Sequence, residues 1–564
     1  MSKYQNMLLL LESFEQYLGD PKQKTTPVNF HQCLQFDEQN QLDWEQMKYL
    51  QDWGFMDYLI PTTLGGKMNS LEELFLLSKL VARRDCTLSI ALGLSFFAAL
   101  PIWSVGDEAQ KKKLAKRISE GAIGAFALTE ESHGTDLTSN ELSAKPLAEG
   151  WELNGKKWCV NFATHGQLVT VLCRTHEKGG LRGFSLFFLD KETIGPGYVP
   201  TAKLPTHGVR GLDISGFSLE KLKVPTDSLI GNTQQGLEIV YKVFQISRTL
   251  LTCLSLGGAD TALRLALSYS LERQLYGKSA VAIPVVRQRL AEQFSALLIA
   301  DSMALAMVRA CTIMPEKMCL WSAITKYLIP KMGEDIVEQC AIVLGARAYL
   351  RTTQWAIFQK IRRDVQVVGL FDGSSQVNLA LIAGNLLPQA RMRGIRSEST
   401  FEKLEQIFDF SADCPDFNGQ NLGLFIQEED DIIAGLSLLN AAEINPLIEL
   451  VLGEIRLIDE EVLQLQAQKN FDPRSLTAFR LAERYCWLFA ASCCLHVWFF
   501  NRSQFNDECK NQAWIHLALQ LILNKLQSTY SIDPTLQEAM VDSLLHYHQQ
   551  NRLFSVLPLH IAEF

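Results

Sequence analysis

The stretch Phe126-Ala-Leu-Thr-Glu-Glu-Ser-His-Gly-Thr-Asp136 is the part of this chain best equipped for chemistry. An apolar run from Ala122 to Leu128 gives way to a polar turn that offers Thr129, Ser132, Gly134 and Thr135. Hydroxyls and turned backbone N–H groups at such an edge can cradle an anion. The edge suits a ligand that is flat and hydrogen-bonding at one end and phosphorylated at the other. The same residues also make an ordinary strand end, and the segment by itself does not choose between the two.

The elements that must position this edge follow from periodicity. Residues 1–125 read as helical: Leu8, Leu9, Leu10, Phe14 and Leu18 recur at helical spacing, as do Leu74, Phe75, Leu77, Leu80 and Val81. The texture changes near Gly124. Trp151–Gly155 reads as a strand closed by an Asn154-Gly155 hairpin turn. Val169–Arg174, Phe184–Leu189 and Phe217–Leu222 read as further strands, so residues 126–232 form a middle β-domain, barrel-like in outline. Helical patterning resumes at Gly236 and spans a four-helix-bundle domain, 233–394. Long helices are expected around Val285–Cys311, Trp321–Leu350 and Val377–Leu387. A polar join at 395–420 then leads into a C-terminal helical extension, so that 395–564 is a fourth unit. The fold class is mainly α with a central β-domain.

Composition narrows the function. A chain of 564 residues is too long for one core. With 47% apolar and 20% charged residues it is globular, and a net charge of −9 argues against general nucleic-acid binding. The 13 cysteines show no C-x-x-C pair, so neither a zinc site nor a disulfide framework is expected, and reduced thiols in a cytoplasmic protein are. The N-terminus lacks a signal-peptide core, and no apolar run is expected to span a membrane.

Several motifs then fall in order. They are Trp53-Gly-Phe with Ile60-Pro and Gly65-Gly66; Phe126-Ala-Leu-Thr-Glu with Gly134-Thr-Asp136; and Leu153-Asn-Gly-Lys-Lys-Trp-Cys-Val-Asn161. Lys223-Val-Pro, Ser247-Arg248, Arg273-Gln-Leu-Tyr-Gly277, Leu344-Gly345, Arg363-Asp364 and Phe371-Asp-Gly-Ser-Ser-Gln376 follow. Together, over roughly residues 50–385, the order resembles the acyl-CoA dehydrogenase family. The end of the chain, from Ser475 to Tyr485 and beyond, is similar to the extra helical domain of that family's very-long-chain branch.

The resemblance implies FAD, with Thr129 on the flavin pyrimidine ring and Trp158 and Val160 flanking the ring. It places Gly134 and Thr135 at the pyrophosphate or the bound thioester. Phe126, Leu128, Tyr276, Gly345, Ser374 and Gln376 complete the cofactor set. Arg273 would reach the FAD of a neighbouring subunit, and the extension implies a homodimer. Gln245, Ser247, Arg248, Thr135 and Gly373 would contact substrate. The implied reaction is α,β-dehydrogenation of an acyl thioester on CoA or on an acyl carrier protein, with electrons passed to an acceptor such as an electron-transfer flavoprotein. No metal is implied.

The base should stand in the Phe371-Asp372-Gly373 loop, where the family commonly has Glu; on its own, Asp372 before Gly373 reads as a turn-capping residue. The family's second location for a base holds Ser247 here. Val160 stands where a Thr is usual, Pro284 where a Gln is usual, Ala346 where the second Gly is usual and Gln245 where an Asp is usual. The alternatives are a nitroalkane-oxidase-like flavin oxidase, whose branch also uses Asp at that slot, and a non-catalytic assembly protein that kept the fold.

Overall fold

The computed structural model describes residues 2–394, 400–425, 429–503 and 512–562. The expected join and extension from 395 onward therefore lie partly outside the described residues.

Six helices open the chain: α1 (Lys3–Leu18), α2 (Phe30–Gln39), α3 (Trp44–Asp52), α4 (Leu71–Ala82), α5 (Cys86–Val105) and α6 (Glu108–Ser119). Their starts are written in the sequence. Ser2 and Asp107 form capping boxes with Gln5 and Gln110, and Asn29, Asp43, Ser70 and Asp85 accept first-turn N–H groups. α5 is apolar on every face, because it is an interior helix packed against α4, α6 and the sheet.

The middle of the chain is one eight-stranded sheet: β1 (Gly124–Ala127), β2 (Ser143–Leu147), β3 (Gly150–Asn161), β4 (Leu168–Arg174), β5 (Phe184–Asp190), β6 (Tyr198–Pro200), β7 (Ile214–Val224) and β8 (Leu229–Ile230). Its order is β6-β7-β3-β2-β4-β5-β8, with β1 alongside β4 in parallel. An apolar cluster that includes Leu142, Leu153, Val171, Phe187 and Phe217 fills it.

The Asn154-Gly155 hairpin turn is not formed. β3 runs straight through it to Asn161, and the register against β7 shifts between Leu153 and Gly155. Gly155 spends its left-handed freedom (φ +137°) on a β-bulge instead. A Cβ there would meet Leu142 Cα at 2.7 Å. Gly155→Ala is therefore expected to destabilise the sheet by about 1–3 kcal/mol, read from the urea midpoint at unchanged slope. A midpoint equal to that of the parent protein would show that the bulge relaxes without cost.

Helices α7 (Gly236–Leu250), α8 (Thr252–Glu272), α9 (Pro284–Ile313), α10 (Met318–Leu344), α11 (Ile357–Asp364) and α12 (Ser375–Met392) follow. A two-strand hairpin, β9 (Gln274–Leu275) with β10 (Lys278–Ser279), interrupts them. The expected helix Trp321–Leu350 stops at Leu344, where Gly345 turns the chain. The extension contributes α13 (Thr400–Phe408), α14 (Asp431–Gly435), α15 (Asn445–Ala467), α16 (Leu476–Asn501) and two further helices, Ala513–Leu526 and Pro534–Gln549. Phe489, Trp498 and Trp514 are buried in it, and Phe489 meets Trp321 of α10 with ring centres 6.3 Å apart.

The expectation about membrane length needs correction. Cys86–Val105, Gly236–Glu272 and Pro284–Ile313 are long and apolar enough to cross a membrane by length and composition. Between 78% and 100% of each apolar window is buried inside the protein. Helices surrounded by other helices need no polar face, so they match a spanning segment in composition. The cysteines among the described residues are all free, and none of these residues forms a group of three or more His, Cys, Asp or Glu able to hold a metal.

Candidate active site

Two elements face each other across the junction of sheet and bundle: the loop after β1, and α7 with the loop before α12. Phe126 on β1 meets Phe244 on α7 edge-on, ring centres 6.4 Å apart. The phenol of Tyr241, one turn earlier, is raised first by burial and then by the charge of Asp136 from the opposite loop.

The loop after β1 is preformed by residues that sequence reasoning passed over. The Glu130 carboxylate accepts the N–H groups of Glu141 (2.6 Å) and Leu142 (2.9 Å) and the ammonium of Lys157 (2.8 Å). Burial alone would push Glu130 upward; the Lys157 charge and these hydrogen bonds outweigh it and hold the carboxyl below its ordinary value. Asn140 and Lys157 both donate to the Leu128 carbonyl, at 2.6 and 2.9 Å. Arg174 donates to the carbonyls of Asn140 and Thr138 at 2.9 and 3.3 Å. With its ends pinned, the loop leaves Gly134 and Thr135 exposed and Thr129 half-buried. The backbone N–H of Trp158 donates to the Thr129 carbonyl at 3.0 Å, which sets this residue, 39% exposed, beside the loop. Cys159 adopts a left-handed bulge here, and Val160 beyond it is buried in the apolar cluster of the sheet. Leu128 is buried too and offers only its carbonyl.

The opposite wall is Phe371-Asp372-Gly373, where Asp372 (φ +54°) and Gly373 (φ +91°) are both left-handed. Each carbonyl of this turn has a side-chain donor. Lys326 on α10 donates to Phe371 O at 2.6 Å, Arg248 on α7 to Asp372 O at 2.9 Å, and Asn378 on α12 to Gly373 O at 2.9 Å. Gly373 suits this position because its φ of +91° is one that side chains rarely adopt, and a Cβ there would also press on the Arg248 guanidinium at 2.8 Å. Burial pushes the Asp372 carboxyl up; a hydrogen bond from Ser247 and the charges of Lys326 and Arg248 oppose it. The residue keeps partial surface exposure, yet desolvation of its carboxyl is the leading effect.

The remaining candidates divide. Ser247, Arg248, Gly373 and Ser374 gather around Asp372, and Gln376 follows at the exposed start of α12. Gln245 is buried and committed elsewhere: its amide donates to Gly423 O at 2.6 Å, in the extended segment after α13. Arg273, Tyr276 and Gly345 stand apart on the surface. Tyr276, at the β9–β10 tip, is 99% exposed. Because α8 continues α7 almost directly, Arg273 lies 25 residues, or roughly 37 Å, along the helical path from Arg248. A cleft of about 790 Å3 lined by Asn40, His207, Arg210, Arg351 and Arg363 contains none of these residues. Its arginines are paired with acids, Arg210 and Arg363 with Asp37 and Arg351 with Glu38.

Three family models match in chain order: acyl-CoA dehydrogenase N-terminal domain over 30–122, middle domain over 125–222 and C-terminal domain over 234–387. The chain belongs to the acyl-CoA dehydrogenase family. It is thus an oxidoreductase flavoenzyme acting on CH–CH groups, and the cofactor of the family is FAD. Human mitochondrial short-chain specific acyl-CoA dehydrogenase is 25% identical over 363 residues, 64% of this chain and 86% of that protein. An acyl-CoA dehydrogenase structure from Bacillus anthracis, complexed with FAD, superposes with a TM-score of 0.73 at 18% identity, covering 96% of this chain and 91% of that one. The acyl-CoA dehydrogenase fold with this C-terminal extension is therefore shared. The prolyl acyl carrier protein oxidase AnaB superposes with a TM-score of 0.61 at 19% identity, over 68% of this chain and 98% of that one.

Proposed function

We propose that this flavoenzyme removes the α and β hydrogens of an acyl thioester, with Asp372 as the base. The observation that carries the reading is the placement of Asp372: a turn whose every carbonyl is anchored sets its buried carboxyl beside Ser247 and Arg248 on α7, the helix whose Phe244 meets Phe126 of β1.

The residues present fit FAD. A half-exposed indole at Trp158 offers a face for a flat ring, while the rigid loop exposes Thr135 and Gly134 for the polar end. Trp158, Thr129 and Phe126 would hold the isoalloxazine, and Thr135, Ser374 and Gln376 the chain beyond it. When bound, FAD supplies the acceptor for the β-hydrogen as hydride. The chain's own task is the α-proton. An α-carbon beside a thioester carbonyl is a weak acid, so a carboxylate strengthened by burial suits it. Asp372 accepts that proton on a carboxylate oxygen, and the enoyl thioester remains. The charges of Lys326 and Arg248 oppose the upward push of burial and favour the ionised form.

A phosphopantetheine arm presents the same thioester on CoA or on a carrier protein. The likeness to the human short-chain enzyme supports the first and that to AnaB the second. The distance from Arg273 to Arg248 supports a homodimer in which each Arg273 serves the partner's FAD. An electron-transfer flavoprotein as acceptor, and a cytoplasmic setting, complete the proposal.

Anaerobic titration of the flavin-loaded protein tests it. Bleaching by acyl-CoA or acyl-carrier protein is the expected result, and the more efficient of the two identifies the carrier. Peroxide from a nitroalkane, with no bleaching by either thioester, would replace this reading with the oxidase. No retained flavin after FAD is added would favour the assembly protein.

A further inference from the structure

Lys326 is the lone charge in the apolar stretch Trp321–Pro330 of α10 and is 1% exposed. Removing an ammonium from water is costly unless its donors are satisfied, and no carboxylate stands at salt-bridge distance from it among the described residues. Its donors go to two backbone carbonyls, Val368 O and Phe371 O, and Nζ lies 5.1 Å from the centre of the Phe371 ring. Phe371 immediately precedes the left-handed Asp372, Val368 lies one turn earlier, and Arg248 takes the carbonyl of Asp372 itself. Two cations from two helices thus grip the backbone on either side of the candidate base.

The other titratable and charged groups around the turn come from each neighbouring element. Tyr241 on α7 and Cys319 on α10 lie near Arg248. Glu334 on α10 approaches Gly369, where a Cβ would lie 3.1 Å from its carboxylate; burial pushes Glu334 up to about 7. Burial pulls the Lys326 amine down to about 8, while Asp372 draws it up. An amine at about 8 is mostly protonated at neutral pH, so Lys326 meets Asp372 as an ammonium.

We propose that Lys326 is a positioning residue for the reaction: it aims the Asp372 carboxyl by fixing the Phe371 carbonyl, and its charge favours the ionised form of that carboxyl. The proposal rests on reading Asp372 as the base. Its test compares Lys326→Met, which loses donor and charge, with Lys326→Gln, which keeps a donor without the charge.

In the flavin-loaded enzyme, Lys326→Met is expected to lower the limiting rate of flavin reduction by at least about tenfold with substrate affinity nearly unchanged. The acid limb of its pH profile should move up by about one unit, because removing the cation lets Asp372 rise. Lys326→Gln should recover part of the rate while its acid limb stays displaced. A second readout needs no turnover: the Asp372 carboxyl resonance in 13C-aspartate-labelled protein, assigned by its loss in Asp372→Asn, should titrate higher in both variants. A parent-like acid limb and carboxyl titration in Lys326→Gln would overturn the proposal, even where the Met variant fails to fold. Normal bleaching by Asp372→Asn would mean instead that the base assignment itself had failed.

Discussion

Asp372→Asn is expected to keep FAD bound while flavin reduction by a thioester falls by roughly 10²–10⁴-fold, the range for loss of a general base. The substitution isolates the chemistry because the turn does not depend on the carboxyl. Its three carbonyls are held by Lys326, Arg248 and Asn378, none of which is removed. Asn tolerates the left-handed backbone at 372 as well as Asp does. Anaerobic stopped-flow reduction measures the loss, and the flavin spectrum checks retention. Bleaching at the rate of the parent enzyme would sink Asp372 as the base. The pH dependence has a defined sign. Burial raises Asp372 above the ordinary carboxylate value, so the reductive rate of the parent enzyme should fall with decreasing pH at a higher point than for a free Asp. That limb should be missing from the residual rate of the Asn variant.

The same geometry predicts the outcome of restoring the family's common residue. Asp372→Glu lengthens the side chain by one methylene at a left-handed position that Glu tolerates less well. A displacement of about 1 Å at a reacting atom can cost on the order of 10²-fold. Loss rather than gain is expected, since Lys326, Arg248 and Asn378 hold the three carbonyls of the turn in place and so oppose its retreat.

Much of this cleft was legible before the structure, for a physical reason. Thr129, Gly134, Thr135, Arg248 and Asp372 stand out as candidates through residue type at fixed spacing, and spacing survives in sequence. What supports them was not legible. Lys326 was hidden because a single lysine inside an apolar helix breaks the pattern by one residue, and only the fold reveals that carbonyls 368 and 371 lie above it. A charged residue at a position the helical period assigns to the interior was the available signal. Glu130 and Lys157 lie 27 residues apart, one in the loop after β1 and the other on β3, and meet only in the fold, where the Trp158 backbone N–H donates to the Thr129 carbonyl. The misread hairpin at Asn154-Gly155 shows the converse. Asn-Gly permits a left-handed backbone, and whether that becomes a turn or a bulge is decided by β7 pairing on both sides of it. Gln245 illustrates a third case, since its partner Gly423 belongs to the extension, 178 residues away.

The largest expected loss of stability comes from the charges that join that extension to the catalytic domains. Asp260 on α8 is fully buried and accepts Arg83 Nε at 2.8 Å, Arg264 Nε at 2.9 Å and the Phe554 N–H at 2.9 Å. Arg83 and Arg84 also grip Glu15 on α1, which accepts the Ala562 N–H at 3.2 Å. The C-terminal tail is thereby tied to α1, α4 and α8 through two carboxylates shared by three guanidinium groups. Asp260→Ala removes one carboxylate and leaves Arg83 and Arg264 desolvated beside each other. Breaking a buried pair in this way costs about 3–5 kcal/mol, measured as the shift in denaturant midpoint. A change below about 1 kcal/mol, the range of a surface pair, would show that water enters the site. The acid sensitivity of the parent protein has the same origin. Burial would raise Asp260, but Arg264 and Arg83 outweigh it and hold its carboxyl far below the ordinary value. Stabilisation from a depressed carboxylate is complete above its unfolded value and is lost as pH falls through the folded one. The parent protein should therefore lose stability steeply in acid. Asp260→Ala, already without that contribution, should show a shallower dependence over the same range.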